Sequence, residues 1–295
     1  MRIGQTQLFL GNLEGARDEF LRCVERARAI AAANPAAAPA KRDIYLMLDR
    51  LATVTGHPDH PNLGDPSAAA ELYVQAVEQA ERVSAADPRD VRARREVAEM
   101  RASYAATLRA SAPARARDEY TKTLEIYRTL PEALTKTPSV ARWIAEHERG
   151  LAVSQAAMSR MDLAVPHLRR ALVEFERLGT PQQAGIALTD LAQWRLEAGE
   201  LREARDAGER AVAALEGAWK EHPDHIALRR DLAAAYGVMA GIEAKSRACD
   251  ARRKWIERSE TLWRDVAATE AAAYAARELK KVAAAAPAPA ACGAG

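Results

Sequence analysis

Residues 64–97, GDPSAAAELYVQAVEQAERVSAADPRDVRARREV, contain three marks at fixed offsets. Gly64 is followed after 24 residues by Pro88, and seven residues further on by the triplet Arg95-Glu96-Val97. The same offsets recur twice elsewhere, at Gly11, Pro35 and Arg42-Asp43-Ile44 and at Gly199, Pro223 and Arg230-Asp231-Leu232. Three elements that coincide three times indicate an internal repeat, and such a repeat predicts a fold built from stacked copies of one unit.

A second pattern lies between each glycine and proline. The residues 5, 9 and 12 positions after the glycine form a trio that starts with alanine, and steps of four and three place each trio on one stripe of a helix. Two further copies have serine, Ser111 or Ser159, in the place of the glycine. The five trios are Ala16-Phe20-Cys23, Ala69-Tyr73-Ala76, Ala116-Tyr120-Thr123, Ala164-Leu168-Ala171 and Ala204-Gly208-Ala211. Because a small side chain lets a second helix approach closely, we predict that the five alanines are buried between paired helices.

The periodicity predicts two helices in each repeat. First helices are expected near residues 39–55, 89–109, 138–158, 182–198 and 224–244. Second helices are expected near 14–32, 67–86, 113–130, 161–178, 201–221 and 248–268. Dipeptides in which a capping residue precedes proline are typical helix starts, and they occur at Asn34-Pro35, Asp65-Pro66, Asp87-Pro88, Thr137-Pro138 and Thr180-Pro181.

The ends of the chain depart from this pattern. Only ten residues precede Gly11, so the first helix of the first repeat is expected to be truncated, as in a chain cut from a longer array. Residues 283–295 are rich in alanine and proline and are expected to be a disordered tail. One array is therefore predicted over residues 1–282.

Composition supports an all-α fold. The 295 residues include 68 alanines but only 15 aromatic residues, which favours helices over sheets. We predict a right-handed α-solenoid of about five to six antiparallel helix pairs, stabilised by stacking because one pair cannot bury its apolar stripe alone. The formal charge of +2 gives no strong field toward nucleic acid or membranes. No apolar run is long enough to insert into a bilayer.

Three widely spaced cysteines without a CxxC pair argue against a disulfide framework or a structural zinc site. They favour a reducing compartment, so we expect a cytoplasmic protein.

The order of glycine, alanine, aromatic residue, alanine and proline resembles the tetratricopeptide repeat, a helix–turn–helix unit. The family's usual period is about 34 residues, whereas the spacing here is 40 to 53 residues, which implies longer helices. Residues 56–65, GHPDHPNLGD, together with the basic–acidic helix starts, resemble more specifically the repeat arrays at the C-terminal end of some bacterial serine/threonine kinases. In that group a kinase domain precedes the repeats, often with a membrane helix between them. Neither has a counterpart in these 295 residues, so kinase activity is not carried over to any residue.

Candidate catalytic or metal-binding residues are few. His-Pro-Asp-His occurs at 57–60 and 222–225, but at different places in the repeat, which favours turn and cap chemistry over a shared metal site. Glu146-His147-Glu148 lacks the second histidine of a zinc-protease motif and is interpreted as a solvent-exposed helix face. Glycine-rich phosphate loops and nucleophile motifs are absent from the sequence. We therefore predict no catalytic residues, no cofactor and no metal; an enzyme with a site in the groove is the least favoured alternative.

The remaining feature is an arginine-rich first helix at 89–101. Stacked first helices are expected to line a concave face, where a protein or peptide partner would bind. Arg94, Arg101 and Tyr104 are the candidate partner-binding residues, and paired arginines suggest an acidic partner. The competing interpretation is that these arginines pair with neighbouring acids on a solvated face. A nucleic-acid partner is not expected, because no aromatic stacking platform accompanies the arginines.

The function predicted is a non-catalytic interaction scaffold. A regulatory segment severed from a bacterial kinase is the alternative, and it would place the chain outside the cytoplasm if that kinase were membrane-anchored. The sequence makes no prediction of oligomeric state.

Overall fold

The computed structural model describes residues 2–9, 11–268, 274–277 and 279–280, and all regular secondary structure within these ranges is helical. The helices with assigned bounds are α1 (Arg2–Phe9), α2 (Leu13–Ala33), α3 (Ala38–Gly56), α4 (Pro66–Ala86), α5 (Val91–Leu108), α6 (Pro113–Arg128), α7 (Glu132–Thr135), α8 (Pro138–Ala157), α9 (Met161–Arg177), α10 (Pro181–Glu197), α11 (Leu201–Glu221), α12 (Ile226–Lys245) and α13 (Cys249–Ala267). Each of the eleven predicted helices is present, with both ends within two residues of the prediction. The all-α fold class is therefore confirmed.

The chain divides into two compact units, Met1–His167 and Leu168–Gly295. In the N-terminal unit, helices that follow one another along the chain contact each other from α1 to α6, and α6 then contacts α8. The first helices also touch: α3 contacts α5, and α5 contacts α8. We call these three helices the first-helix layer.

The C-terminal unit repeats this arrangement. Helix α10 packs against α11, α11 against α12, and α12 against α13. Its first helices, α10 and α12, contact each other directly. Each unit therefore consists of alternating first and second helices, as the repeat predicts. The extent of one array over residues 1–282 stays a prediction, and the tail at 283–295 lies outside the described residues.

The alanines that open the trios are buried in both units. All five, Ala16, Ala69, Ala116, Ala164 and Ala204, have 0% of their surface exposed. The large residues at the second position are buried as well, whereas Cys23, at the third position of the first trio, is only half-buried. The predicted repeat register is thus confirmed.

Ala69→Leu tests this register. Because Ala69 is wholly enclosed on α4, the added carbons should overpack the helix contact and lower the free energy of unfolding by about 1–3 kcal/mol. Urea unfolding measures the change. The control is Ala85→Leu, the same substitution at an exposed position of the same helix, and equal effects of the two changes would show that the register is wrong.

The repeated glycines serve the turns that precede the second helices. Gly11, Gly64 and Gly199 have φ of 83°, 89° and 79°, a left-handed conformation that costs glycine little because it has no Cβ. Ser159, which replaces the glycine in the fourth copy, has φ of 59° and so adopts the same conformation. Ser111 does not. The fourth repeat therefore keeps the turn geometry with a less suitable residue, while the third uses another turn.

Ser159→Gly should raise the free energy of unfolding by about 1 kcal/mol, because the left-handed conformation is strained for a residue with a Cβ. Thermal or urea unfolding provides the measurement. Ser111→Gly is the matched control at the equivalent repeat position, and it should not stabilise the protein. A stabilising Ser111→Gly with a neutral Ser159→Gly would contradict this assignment of strain.

The predicted helix start is confirmed at three of the five dipeptides, although only the Asp65 side chain makes a capping hydrogen bond. Helices α4, α8 and α10 begin at the prolines that follow Asp65, Thr137 and Thr180. At Asn34 and Asp87 the prediction is wrong, since these residues end α2 and α4. Each instead starts a tight turn, in which its carbonyl accepts a hydrogen bond from the backbone N–H three residues later at 2.9–3.0 Å.

Two further observations bear on the sequence analysis. Among the described residues, no helix is both long and apolar enough to cross a bilayer. Cys249, the first residue of α13, is disulfide-bonded, so the expectation of reduced cysteines is wrong at this residue.

Candidate functional site

Glu96 is the best-connected acidic side chain of the first-helix layer. It lies on α5, is almost wholly buried, and accepts hydrogen bonds from Arg42 and Tyr45 of α3 and from Arg92 of α5. The Arg42 Nε donor lies 2.8 Å away. Burial alone would raise the pKa of Glu96, but the bonds from Arg42 and Tyr45 outweigh burial and lower it. This carboxylate therefore stays ionised and joins α3 to α5.

The equivalent acid of the C-terminal unit has a similar role. Asp231 on α12 is buried and accepts a hydrogen bond of 2.8 Å from the amide of Gln182 on α10. Arg230, the preceding residue, also donates to Asp231 at 2.8 Å. The acids that follow the repeated arginines thus join neighbouring first helices in both units.

Glu99, one turn after Arg95 on α5, has fewer donors. Arg95 Nε lies 3.2 Å from Glu99 Oε1, but the two atoms are not aligned for a hydrogen bond, and both are shielded from solvent. Burial raises the pKa of Glu99 to about 7; the charges of Glu96 and Asp49 add to this rise and Arg95 opposes it. Asp49 on α3 accepts a hydrogen bond from Ser103, and burial raises its pKa as well.

Helix α8 supplies an aromatic ring and a third acid beside these groups. The Arg95 guanidinium lies 5.1 Å from the centre of the Trp143 ring, so a cation–π contact joins α5 to α8. Glu146 accepts a hydrogen bond of 2.6 Å from Arg142, yet burial still raises its pKa. Arg42 and Arg95 thus both brace neighbouring helices, Arg42 by hydrogen bonds to Glu96 and Arg95 by stacking on Trp143.

Tyr127 reaches this region from α6. Only 3% of its surface is exposed, and its hydroxyl has no hydrogen-bond partner. Burial raises the pKa of this phenol, and the negative charges of Glu99 and Glu146 raise it further while Arg95 opposes them. The phenol oxygen is therefore a buried polar atom within the field of two carboxylates.

The prediction of a solvent-exposed face at Glu146-His147-Glu148 is wrong. The His147 ring is enclosed beside Tyr120 and Tyr127, with the ring centres 6.5 Å and 5.6 Å away, and burial lowers its pKa to about 3. Glu148 pairs with His167 of α9. Helix α8 is enclosed because α5 and α6 pack against it, so successive charged residues on it cannot all face water.

The three predicted partner-binding residues do not converge on one point. Arg94 donates to the carbonyl oxygen of Thr129, just after α6, at 3.0 Å. Arg101 donates to both Glu81 of α4 and Glu119 of α6. Tyr104 is buried, and its hydroxyl accepts a hydrogen bond of 2.6 Å from Arg115. Each of them contacts a second helix or its end, and their part in partner binding stays a prediction.

Both His-Pro-Asp-His segments make turn or cap contacts. In the first, the Asp59 backbone N–H donates to His57 Nδ1 at 3.2 Å, and Asp59 pairs with Arg109, the C-cap residue of α5, at 2.6 Å. Asn62 then donates to the carbonyls of His57 and His60, which closes the loop. In the second segment, His225 caps α12 by accepting a bond from the Leu228 N–H. The turn-and-cap interpretation is therefore confirmed.

This helical-repeat architecture has counterparts among known proteins. Residues 143–217 match the family described as "Tetratricopeptide repeat". BtubC (BKLC) from P. vanneervenii is 19% identical, with a TM-score of 0.59, and the likeness covers 85% of this chain and 90% of that one. A Rap protein, solved in complex with a Competence and Sporulation Factor, is 17% identical, with a TM-score of 0.55 over 96% of this chain and 74% of that one.

No curated protein matches the chain. The two structural likenesses support an all-α helical-repeat fold, and the match to the tetratricopeptide repeat covers residues 143–217.

Glu99, Trp143 and Tyr127 carry no sequence motif that marks them as site residues. The spacing of Glu99 from Arg95 is that of an ordinary exposed pair, so it indicates no more than pairing with a neighbouring arginine. A signal was available in the predicted positions of α5 and α8 as neighbouring first helices. That placement brings Arg95 and Trp143 into the same layer, but it does not specify which acid lacks donors.

The raised pKa of Glu99 predicts a pH-dependent stability. The folded chain binds the Glu99 proton more tightly than the unfolded chain, so the stabilisation is complete below about pH 4.5 and is lost as the pH rises through about 7. Glu99→Gln should therefore match the wild type at pH 4.5 and exceed it at pH 8, by roughly 1–3 kcal/mol. Urea unfolding at the two pH values measures this.

Glu125→Gln is the control, because Glu125 is exposed on α6. Its difference from the wild type should not change with pH. If Glu99→Gln and Glu125→Gln followed the same pH course, the assignment of a desolvated Glu99 would be wrong.

Proposed function

We propose that this chain is a non-catalytic interaction scaffold that binds a protein or peptide segment on the first-helix layer of its N-terminal unit. The observation that carries the proposal is the set of incompletely paired polar groups on α5 and α8, beside a half-buried tryptophan. Glu99 and Arg95 leave hydrogen-bonding atoms unused there. Trp143 supplies the kind of aromatic surface that dominates binding energies at protein interfaces.

The comparisons support an interaction role of this general kind. Tetratricopeptide and related helical repeats are typically interaction modules, and the similar Rap protein was solved with a bound factor. A long surface of stacked helices is preformed, so a partner can bind without a large cost of ordering the scaffold. In a narrower form of the proposal, the protein is bacterial and cytoplasmic, and its partner is acidic and is held by Arg94, Arg101 and Tyr104.

A regulatory segment of a bacterial serine/threonine kinase is a second narrower form. It rests on the resemblance of residues 56–65 to kinase-associated arrays. In the structure this loop is tied to α5 by the ion pair of Asp59 with Arg109. The segment would then transmit partner binding to the kinase rather than act on a substrate.

Position-specific photocrosslinking in the native cell tests the proposal. Benzoylphenylalanine replaces Trp143 on the first-helix layer in one variant, and exposed Val74 on second helix α4 in the other. We expect a discrete crosslinked protein from position 143 and none from position 74. Crosslinks at position 74 alone would place the interaction surface on the second helices.

A further inference from the structure

The first-helix layer presents one half-buried carboxylate on each of its three helices. Asp49 lies on α3, Glu99 on α5 and Glu146 on α8, and we call these three the acidic row. In each of them burial is the largest influence and raises the pKa. Asp49 acts electrostatically on Glu99, and Glu99 and Glu146 both act on Tyr127. Arg95 lies 3.2 Å from Glu99 and 5.1 Å from the centre of the Trp143 ring, which ties the α5 and α8 parts of the row together.

The cations within the chain do not saturate the row. Arg50 lies 3.9 Å from Asp49, with half of its own side chain exposed. Arg95 meets Glu99 without hydrogen-bond geometry. Arg142 does donate to Glu146. By contrast, Glu96 on the same layer receives bonds from three residues, and its pKa is lowered. The carboxylates of the acidic row are thus less completely paired than Glu96, whose hydrogen bonds join neighbouring helices.

Tyr127 provides an independent observation beside the acidic row. Its side chain is 97% buried, its hydroxyl has no partner, and the carboxylates that perturb it are Glu99 and Glu146. Buried hydroxyls in folded proteins nearly always have a hydrogen-bond partner. A cationic group inserted between the two carboxylates would offer N–H donors to them and to the phenol oxygen.

From these contacts we infer that the acidic row binds a basic segment of the partner, in an extended conformation that crosses α3, α5 and α8. The inference rests on the proposed function and names the chemistry of the partner. Neighbouring helices lie about 8–10 Å apart, and an extended chain in the polyproline II conformation has three residues per turn and rises about 3.1 Å per residue, so every third side chain lies on one side of it at intervals of about 9 Å. Basic side chains three residues apart therefore match one carboxylate per helix. Trp143 adds an aromatic face that attracts cations.

The interaction is pH-dependent because protonated Glu99 cannot hold a cation. The charged groups that face Glu99 are Arg95 and Glu96 on α5, Asp49 and Arg42 on α3, and Tyr127 from α6. On α8, Glu146 acts on Tyr127, and Glu146 is itself influenced by Arg142, Arg149 and Asp59. The carboxylates charge as the pH rises, whereas the arginines stay charged, so binding strengthens from pH 6 to pH 8.

Fluorescence anisotropy with three labelled nine-residue peptides tests the inference on the full chain. The peptides are ARAARAARA, the clustered AAARRRAAA, and the acidic AEAAEAAEA. We expect ARAARAARA to bind several-fold more tightly than the clustered peptide and to weaken with added salt and at pH 6. Glu99→Gln should weaken its binding about tenfold. Glu125→Gln, the exposed control on α6, should leave binding unchanged, and circular dichroism confirms that both variants are folded.

Three outcomes overturn the inference: equal binding of the spaced and clustered peptides, preferential binding of AEAAEAAEA, or equal effects of Glu99→Gln and Glu125→Gln. Addition of ARAARAARA to the photocrosslinking experiment separates the two proposals. If a protein is captured at position 143 but the peptide does not displace it, the proposed interaction surface stands and the inference of a basic partner segment is refuted. If the peptide binds in a Glu99-dependent way but no protein is captured at position 143, only the proposal that the cellular partner binds this surface is refuted.

Discussion

Close contact between paired helices, made possible by alanines with no exposed surface, is the constraint on which the rest of this structure depends. Ala69 and its four equivalents sit where a larger side chain would separate the helices. Since one helix pair cannot bury its apolar stripe alone, this contact and its repetition supply the core. The glycines before the second helices help to form the same contact, because a residue in the left-handed conformation reverses the chain within a few residues.

The close contact also controls the electrostatics of the first helices. When α3, α5 and α8 pack against one another, the side chains at their contacts lose water whether they are charged or not. Glu96 accepts enough hydrogen bonds to compensate for this loss, and it becomes a link between helices. Glu99, one turn away, does not. Neighbouring acids on one helix thus have pKa values displaced in opposite directions, because the number and alignment of donors decide the outcome.

This difference explains what the sequence could and could not predict. Helix positions and the burial of the trios follow from local spacing, so Gly64 and Ala69 were sufficient to place α4. The capping dipeptides were less informative, because Asp65-Pro66 and Asp87-Pro88 have the same composition but start a helix and a turn respectively. Partners of charged side chains depend on distances between helices far apart in sequence. The bonds of Arg101 to Glu81 and Glu119, and the enclosure of His147 by two tyrosines, could not be derived from periodicity.

The raised pKa values of the acidic row imply a cost in stability once these carboxylates are ionised, and that cost bears on their role. A desolvated carboxylate without full pairing destabilises the folded state, and an apolar or amide side chain of similar size would avoid the penalty. The chain possesses the means of satisfying such a group, as Arg42 and Tyr45 do for Glu96. Asp49 and Glu146 accept hydrogen bonds from Ser103 and Arg142, but Glu99 Oε1 has no aligned donor and the enclosed Tyr127 hydroxyl has no partner. The polar atoms without partners on Arg95 and Glu99 of α5 and on Tyr127 of α6 are the observations on which the proposed partner site rests.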